Sequence, residues 1–204
     1  MRTLYLSLAV LVPAVAAAQD EVPKIPRTPA AVTEVVHVQP FRLAQGYRND
    51  WSQKKEVISS GSLVVLKVDP ALVYPRNAAE PVLYAGDRTV QRLNHGHESG
   101  HVIGIVPGEM DLAGTLIWFG QPGLPERVTE RTIRAERAMA EEAKLQPVSA
   151  EAVKRVQQEP VEAAHLSDLL RDHVAELVLK YSPEEKSLVE TWRLPVAGRQ
   201  PKQR

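Results

Sequence analysis

The sequence predicts an α+β protein: an antiparallel β-sandwich, immunoglobulin-like or similar, of six or seven short strands, followed by a helical C-terminal region. Three observations carry this. Ten of the eleven glycines lie between Gly46 and Gly123 and none between Leu124 and Ala197, so turns crowd the first part and are scarce in the second. Residues 19–120 hold 11 acidic and 10 basic side chains in 102 positions, against 14 and 14 in the 84 positions of 121–204, the density of solvated helix faces. Short β-branched runs bounded by turn residues fill the first part, and three-four apolar spacing appears only in the second.

Taken from the start, residues 1–18 read as a secretory signal. Arg2 supplies a positive start, Leu4 to Val15 form an apolar run of twelve, and Ala16-Ala17-Ala18 offers a small-residue cleavage pattern before Gln19. Twelve apolar residues are too few for a bilayer, which needs about 20. Cleavage near Ala18 leaves 204 − 18 = 186 residues without a membrane span, and points to a periplasmic or secreted protein. Zero cysteines among 204 residues exclude disulfides, thiol catalysis and iron–sulfur clusters, and fit a bacterial envelope better than a small disulfide-stapled secreted domain. The balance of 25 Lys+Arg and 25 Asp+Glu gives no electrostatic case for nucleic acid.

Residues 19–31 form a Pro-rich linker, with Pro23, Pro26 and Pro29 three apart. The sandwich follows over 32–123. Its strand candidates are Val35 to Val38, Leu63 to Val68, Val82 to Tyr84, Thr89 to Leu93, Val102 to Val106 and Thr115 to Phe119. Gly86-Asp87 reads as a two-residue hairpin turn, and Asp69-Pro70 and Pro107-Gly108 close other strands.

The helical region spans 124–195. Pro125-Glu126 opens a charged helix running to Leu145, with a thin apolar face of Val128, Ala135, Met139 and Ala143. Ser149 caps a short helix that stops before Pro160. Pro160 begins another, in which Leu166, Leu169, Leu170, Val174, Leu177, Val178 and Tyr181 form an amphipathic stripe that must bury against something, the sandwich being the nearest apolar surface. Ser182-Pro183-Glu184-Glu185 matches a capping box with proline at the first helical position. Residues 196–204 form a polar, basic tail.

One cluster could carry chemistry. Asn94 to His101 holds His95, His97 and His101, half of the six histidines. His97-Glu98-Ser99-Gly100-His101 resembles the H-E-x-x-H motif of zincin metallopeptidases, which implies His97 and His101 as zinc ligands and Glu98 as general base. That chemistry requires a helix through the motif. Gly96 and Gly100, with strand grammar from Val102, predict a loop and strand instead, which would hold positions 97 and 101 about 13 Å apart. Glu109 and Asp111 are third-ligand candidates by sequence proximity. A looser arrangement has His95, His97 and His101 offer three imidazoles to zinc, copper or nickel. The plainer reading is a hairpin loop with exposed histidines. His173 sits on the helical stripe as an edge residue, and Trp118-Phe119 belong near the core.

The sequence thus favours an exported, non-catalytic protein with a binding or assembly role in the bacterial envelope, using no cofactor and meeting a protein partner through its loops or helices. The alternatives are a zinc-dependent metallohydrolase or peptidase on His97–His101, and a non-catalytic metal-binding envelope protein.

Overall fold

The computed structural model describes residues 30–32, 34–49, 56–68, 81–96, 98–124 and 127–193. The signal segment 1–18, nearly all of the Pro-rich linker, the Asp69-Pro70 turn and the tail lie outside the described residues.

Two mostly antiparallel sheets are followed by helices, the α+β class read from the glycine and charge distributions. In chain order the strands are β1 (Ala30–Ala31), β2 (Glu34–Arg48), β3 (Val57–Lys67), β4 (Pro81–Ala85), β5 (Arg88–Thr89), β6 (Gln91–Arg92), β7 (His101–Pro107) and β8 (Ile117–Pro122). A four-stranded sheet has the order β1-β8-β4-β5 and a five-stranded sheet the order β6-β7-β3-β2-β9, where β9 (Val161–Ala163) arrives from within the helical region. Each strand candidate falls on a strand. The segment Thr89 to Leu93 is divided: β5 belongs to one sheet and β6 to the other, and the chain crosses at Val90, whose side chain is buried and whose N–H donates to Leu83 O at 2.8 Å. At Gly86-Asp87 the turn joins β4 to β5, with Gly86 at φ 59° in the first central position that this turn reserves for glycine.

β3 and β7 explain their own sequence. Residues 63 to 66 of β3 are fully buried, and alternate side chains enter different cores. Val64 and Leu66, with Val102 and Val106 of β7, meet Leu83, Ala85, Ile117 and Phe119 of the other sheet in one shared cluster. Leu63 and Val65, with Ile103 and Ile105, face the opposite way onto Leu169, Val174, Leu177, Val178 and Val189. A strand buried on both faces reads as a continuous apolar run rather than an alternation. Each such side chain contributes about 1.5–3 kcal/mol of burial.

The helices are α1 (Glu130–Glu142), α2 (Ala150–Val156), α3 (Leu166–Leu169), α4 (Ala175–Tyr181) and α5 (Lys186–Arg193), with π-helical turns Leu170–Val174 linking α3 to α4 and a 3₁₀ turn Pro183–Glu185 before α5. The stripe from Leu166 to Tyr181 buries on the five-stranded sheet, as its periodicity requires. Ser149 caps α2 by accepting from Ala152 N at 3.1 Å. No helix among the described residues is long and apolar enough to cross a membrane.

Three local expectations give way. α1 starts from Thr129, whose side chain caps it, and its buried residues are Glu136 and Ala140, while Ala135 and Ala143 are exposed. A carboxylate at the centre of the buried face is invisible to a search for apolar stripes. Pro160 leads not into a helix but into β9, parallel to β2 at Phe41↔Val161 to Leu43↔Ala163. Ala30-Ala31, read as linker, pairs with Phe119 and Trp118 of β8.

Candidate functional site

The histidine loop connects β6 to β7. Gly96 and Gly100 have φ of 68° and 66°, and Gly100 N donates to Gly96 O at 3.1 Å, closing a tight turn. A Cβ at Gly96 would stand 2.6 Å from His101 O, so a side chain there would break the turn. Asn94 is buried at the root of this loop and satisfies both ends of its amide. Its Nδ2 donates to His101 O at 2.9 Å and to Ser182 Oγ at 2.8 Å, and its Oδ1 accepts from Ile103 N at 2.7 Å.

Onto this loop docks the segment Ser182 to Glu185, and it does so with the groups that a capping box would have turned inward. Ser182 N is already donated to Val178 O at 2.8 Å, ending α4, and the Ser182 side chain makes no cap bond to the following turn. Its fully buried hydroxyl instead meets Asn94, Ser99 Oγ (3.0 Å) and His101 O (3.2 Å). Glu185, released from capping, accepts from His95 N at 2.9–3.0 Å and from Gly96 N at 2.6 Å. Glu184 accepts from Ser99 N at 3.2 Å. Backbone N–H groups converging in a glycine turn make a concave anion site. Here the anions are the chain's own carboxylates.

This geometry places the candidate ligands. His97 lies outside the described residues. Glu98 is exposed in a turn, and His101 opens β7, so no helix runs through residues 98–101 to give the i,i+4 geometry of the zincin motif. The His95 ring position is exposed, while its backbone N–H is engaged by Glu185. His101 is half-buried with its ring 5.6 Å from that of Tyr181, and its Nδ1 is buried without a hydrogen-bond partner. Glu109 pairs with Arg42 at 3.4 Å and Asp111 Oδ1 accepts from Ala113 N at 2.9 Å. Among the described residues no three His, Asp or Glu side chains gather where one metal ion could be held. His173 is half-buried on the π-helical turns. Trp118 is fully buried and stacked on Tyr84 with centroids 5.1 Å apart, and Phe119 enters the core between the sheets.

Burial shifts several groups away from the loop. Desolvation pushes the Tyr47 phenol up to about 12 and raises Tyr84, where the Glu136 charge adds to the effect. Glu136 itself is raised by burial, with the Gln121 backbone N–H opposing. His37 is lowered by desolvation and further by Lys180, against a hydrogen bond to Gln39.

A cleft of about 600 Å³ lies elsewhere, where the start of β3, the β4–β5 hairpin and the N-terminal half of α1 meet. Ser59, Ser60 and Thr89 bring hydroxyls to it, Arg88 and Arg134 guanidinium groups, and Glu56, Asp87 and Glu130 carboxylates. Such a mixed, nearly charge-balanced lining can hydrogen-bond a polar ligand from several sides. Sequence reasoning missed it because its residues come from four separated segments with no shared spacing. No protein-family model, curated protein or solved structure matches the chain.

Proposed function

We propose that the protein is an exported, non-catalytic binding or assembly protein of the bacterial cell envelope, built on a β-sandwich. The sandwich reading rests on the core shared by the two sheets. Export rests on the charge, apolar run and alanine triplet of residues 1–18.

The observation that carries the binding role is the cleft between β3, the β4–β5 hairpin and α1. It is framed by a strand, a hairpin and a helix, and it offers donors and acceptors of both signs without a concentrated charge. That suits recognition of a polar, near-neutral segment of a partner. The histidine loop supports the non-catalytic half of the reading. Its Asn94 and Ser99 side chains and its Gly96 N–H are engaged with Ser182 and Glu185 across the joint to the helices.

The test combines processing with contact mapping. Protein recovered from the envelope or medium of expressing cells should begin at Gln19 by intact mass. A photo-crosslinking residue at Ser59 or Thr89 should yield a discrete adduct that Arg134→Glu weakens, whereas one at Glu162 on β9 should not. A chain retaining Met1, or cleft positions that crosslink to nothing, would refute the proposal. One zinc per purified chain, lost on His101→Ala, together with hydrolysis abolished by Glu98→Gln, would replace it with the metallohydrolase.

A further inference from the structure

Helix α1 lies against the four-stranded sheet on the side away from the shared core, and only two of its 13 residues are buried, Glu136 and Ala140. Glu136 is 6% exposed. Gly120 of β8 makes room for it: a Cβ there would stand 2.6 Å from Glu136 Oε2 and 2.6 Å from Tyr84 Cε2. The carboxylate accepts one backbone N–H, from Gln121 at 3.2 Å. Tyr84 and Trp118 are stacked in the same cluster, and the indole Nε1 of Trp118 is buried without a partner. The same cluster holds buried Val82 and half-buried Leu116, Val128, Ile133 and Leu145. A helix is thus held to its sheet around one poorly solvated carboxylate and one alanine.

Among the described residues little compensates this carboxylate. From β4 and β8 the groups facing Glu136 are Tyr84 and the Gln121 backbone. On α1 itself, Arg137 is engaged with Glu141 at 3.0 Å, while Glu130 and Arg134 line the cleft with Asp87 and Arg88 of the hairpin. Beyond the helix the chain is anchored, since Val148 exchanges backbone bonds with Thr115 (2.9 Å) and Gly114 (2.7 Å). Between helix and anchor stands Lys144, at φ 55° the one non-glycine residue with positive φ among the described residues. Helix α1 therefore forms one wall of the cleft, covers an aromatic pair, and ends in a joint.

We propose that α1 is a hinged cover over the Tyr84–Trp118 stack, seated while Glu136 is neutral and loosened when it ionises, so that pH sets how far the cleft opens onto the aromatic face. This goes beyond the binding role and does not depend on a ligand being found. Burial favours the neutral carboxyl in the seated helix, the direction in which its pKa is displaced. Seating is therefore strongest below the ordinary carboxylate range, weakens as pH rises through the raised value, and is constant above it. Each pKa unit between the seated and free states weakens seating about tenfold.

The test uses the full chain carrying Trp51→Phe and Trp192→Phe, which leaves Trp118 as its one tryptophan. Acrylamide quenching of Trp118 is followed from about pH 4 to about pH 9, with far-ultraviolet circular dichroism in parallel. Quenching should rise severalfold along a one-proton curve with the dichroism unchanged. Glu136→Gln should hold it at the low-pH level throughout. Gly120→Ala, whose Cβ displaces the carboxylate, should hold it high at both ends. A flat profile, the same curve in Glu136→Gln, or quenching that tracks loss of dichroism would overturn the proposal. Should the variants not fold, hydrogen exchange of the unsubstituted chain decides. Corrected for intrinsic rates, exchange over 129–142 should rise with pH relative to 186–193; equal behaviour of the two segments would overturn it.

Discussion

Replacing Asn94 by alanine should cost far more than removal of a loop side chain ordinarily does. Three bonds disappear together: those to His101 O, to Ser182 Oγ and from Ile103 N. Ile103 is fully buried, so its N–H loses its acceptor where water does not reach, at about 1–3 kcal/mol. Ser182 Oγ and His101 O retain each other and Ser99, so their share is nearer about 0.5–1 kcal/mol. The sum is about 2–4 kcal/mol, a large fraction of the about 5–15 kcal/mol that holds a typical protein together. At about 2–4 °C per kcal/mol for a chain of this size, the Tm should fall by roughly 5–15 °C. Urea melts give the free energy, and hydrogen exchange gives its place: protection should be lost first in 94–103 and 182–193. Asn94→Asp retains the acceptor for Ile103 but sets a carboxylate oxygen against His101 O, and should cost at least as much at neutral pH. A loss below about 0.5 kcal/mol for Asn94→Ala would show that the amide is not what fastens the loop to the helices.

Glu185→Ala should destabilise by only about 0.5–1.5 kcal/mol by chemical melting, because water can replace the carboxylate at the exposed His95 N–H, if less readily at the part-buried Gly96 N–H, while Glu185→Gln should recover part of it. Gly61→Ala should cost about 1–3 kcal/mol in the same assay, since its Cβ would stand 2.5 Å from Val106 O and 2.9 Å from the Phe41 ring. Tyr47 donates to Gln91 Oε1 at 2.9 Å. Its ionisation, followed by absorbance, should come near 12 rather than the usual 10, and because the folded value is the higher one, stability is intact below about pH 10 and falls by about 1–2 kcal/mol above it, an effect Tyr47→Phe should remove. A chain ending at Gly123 should not melt cooperatively, since Leu63, Val65, Ile103 and Ile105 would lose the helices that cover them; a sharp transition would establish residues 32–123 as an autonomous unit.

What could be read from the sequence was whatever burial writes in apolar letters. β3 and β7 were visible because both their faces are buried, and the stripe Leu166 to Tyr181 because one helical face is. β9 was not, because Val161-Glu162-Ala163 is too short to show a period and is placed by pairing with β2 rather than by its own composition. Glu136 was missed because a charged residue argues against burial until a Gly120 opposite it is known. The Ser182–Glu185 motif is legible in the sequence, but its partners are not the helix it precedes. Ser182 N is already committed to α4, which turns the capping groups outward to a loop 81 to 90 residues away in sequence. The same distance hides the histidine loop's role: its glycines announce a turn, but what the turn holds is encoded in another region.

The parallel pairing of β2 with β9 has a consequence for how the chain reaches this fold. β2 lies near the start of the protein, yet the strand and bridge that flank it, Val161–Ala163 and Gln157, come about 120 residues later. As the polypeptide lengthens, β3 can zip onto β2 early, but the other edge of β2 stays bare until nearly four-fifths of the chain has appeared. Contacts of such high order make folding slow, and an open apolar edge invites pairing with other chains in the meantime. A molecule so arranged gains from being kept unfolded until its last third is available.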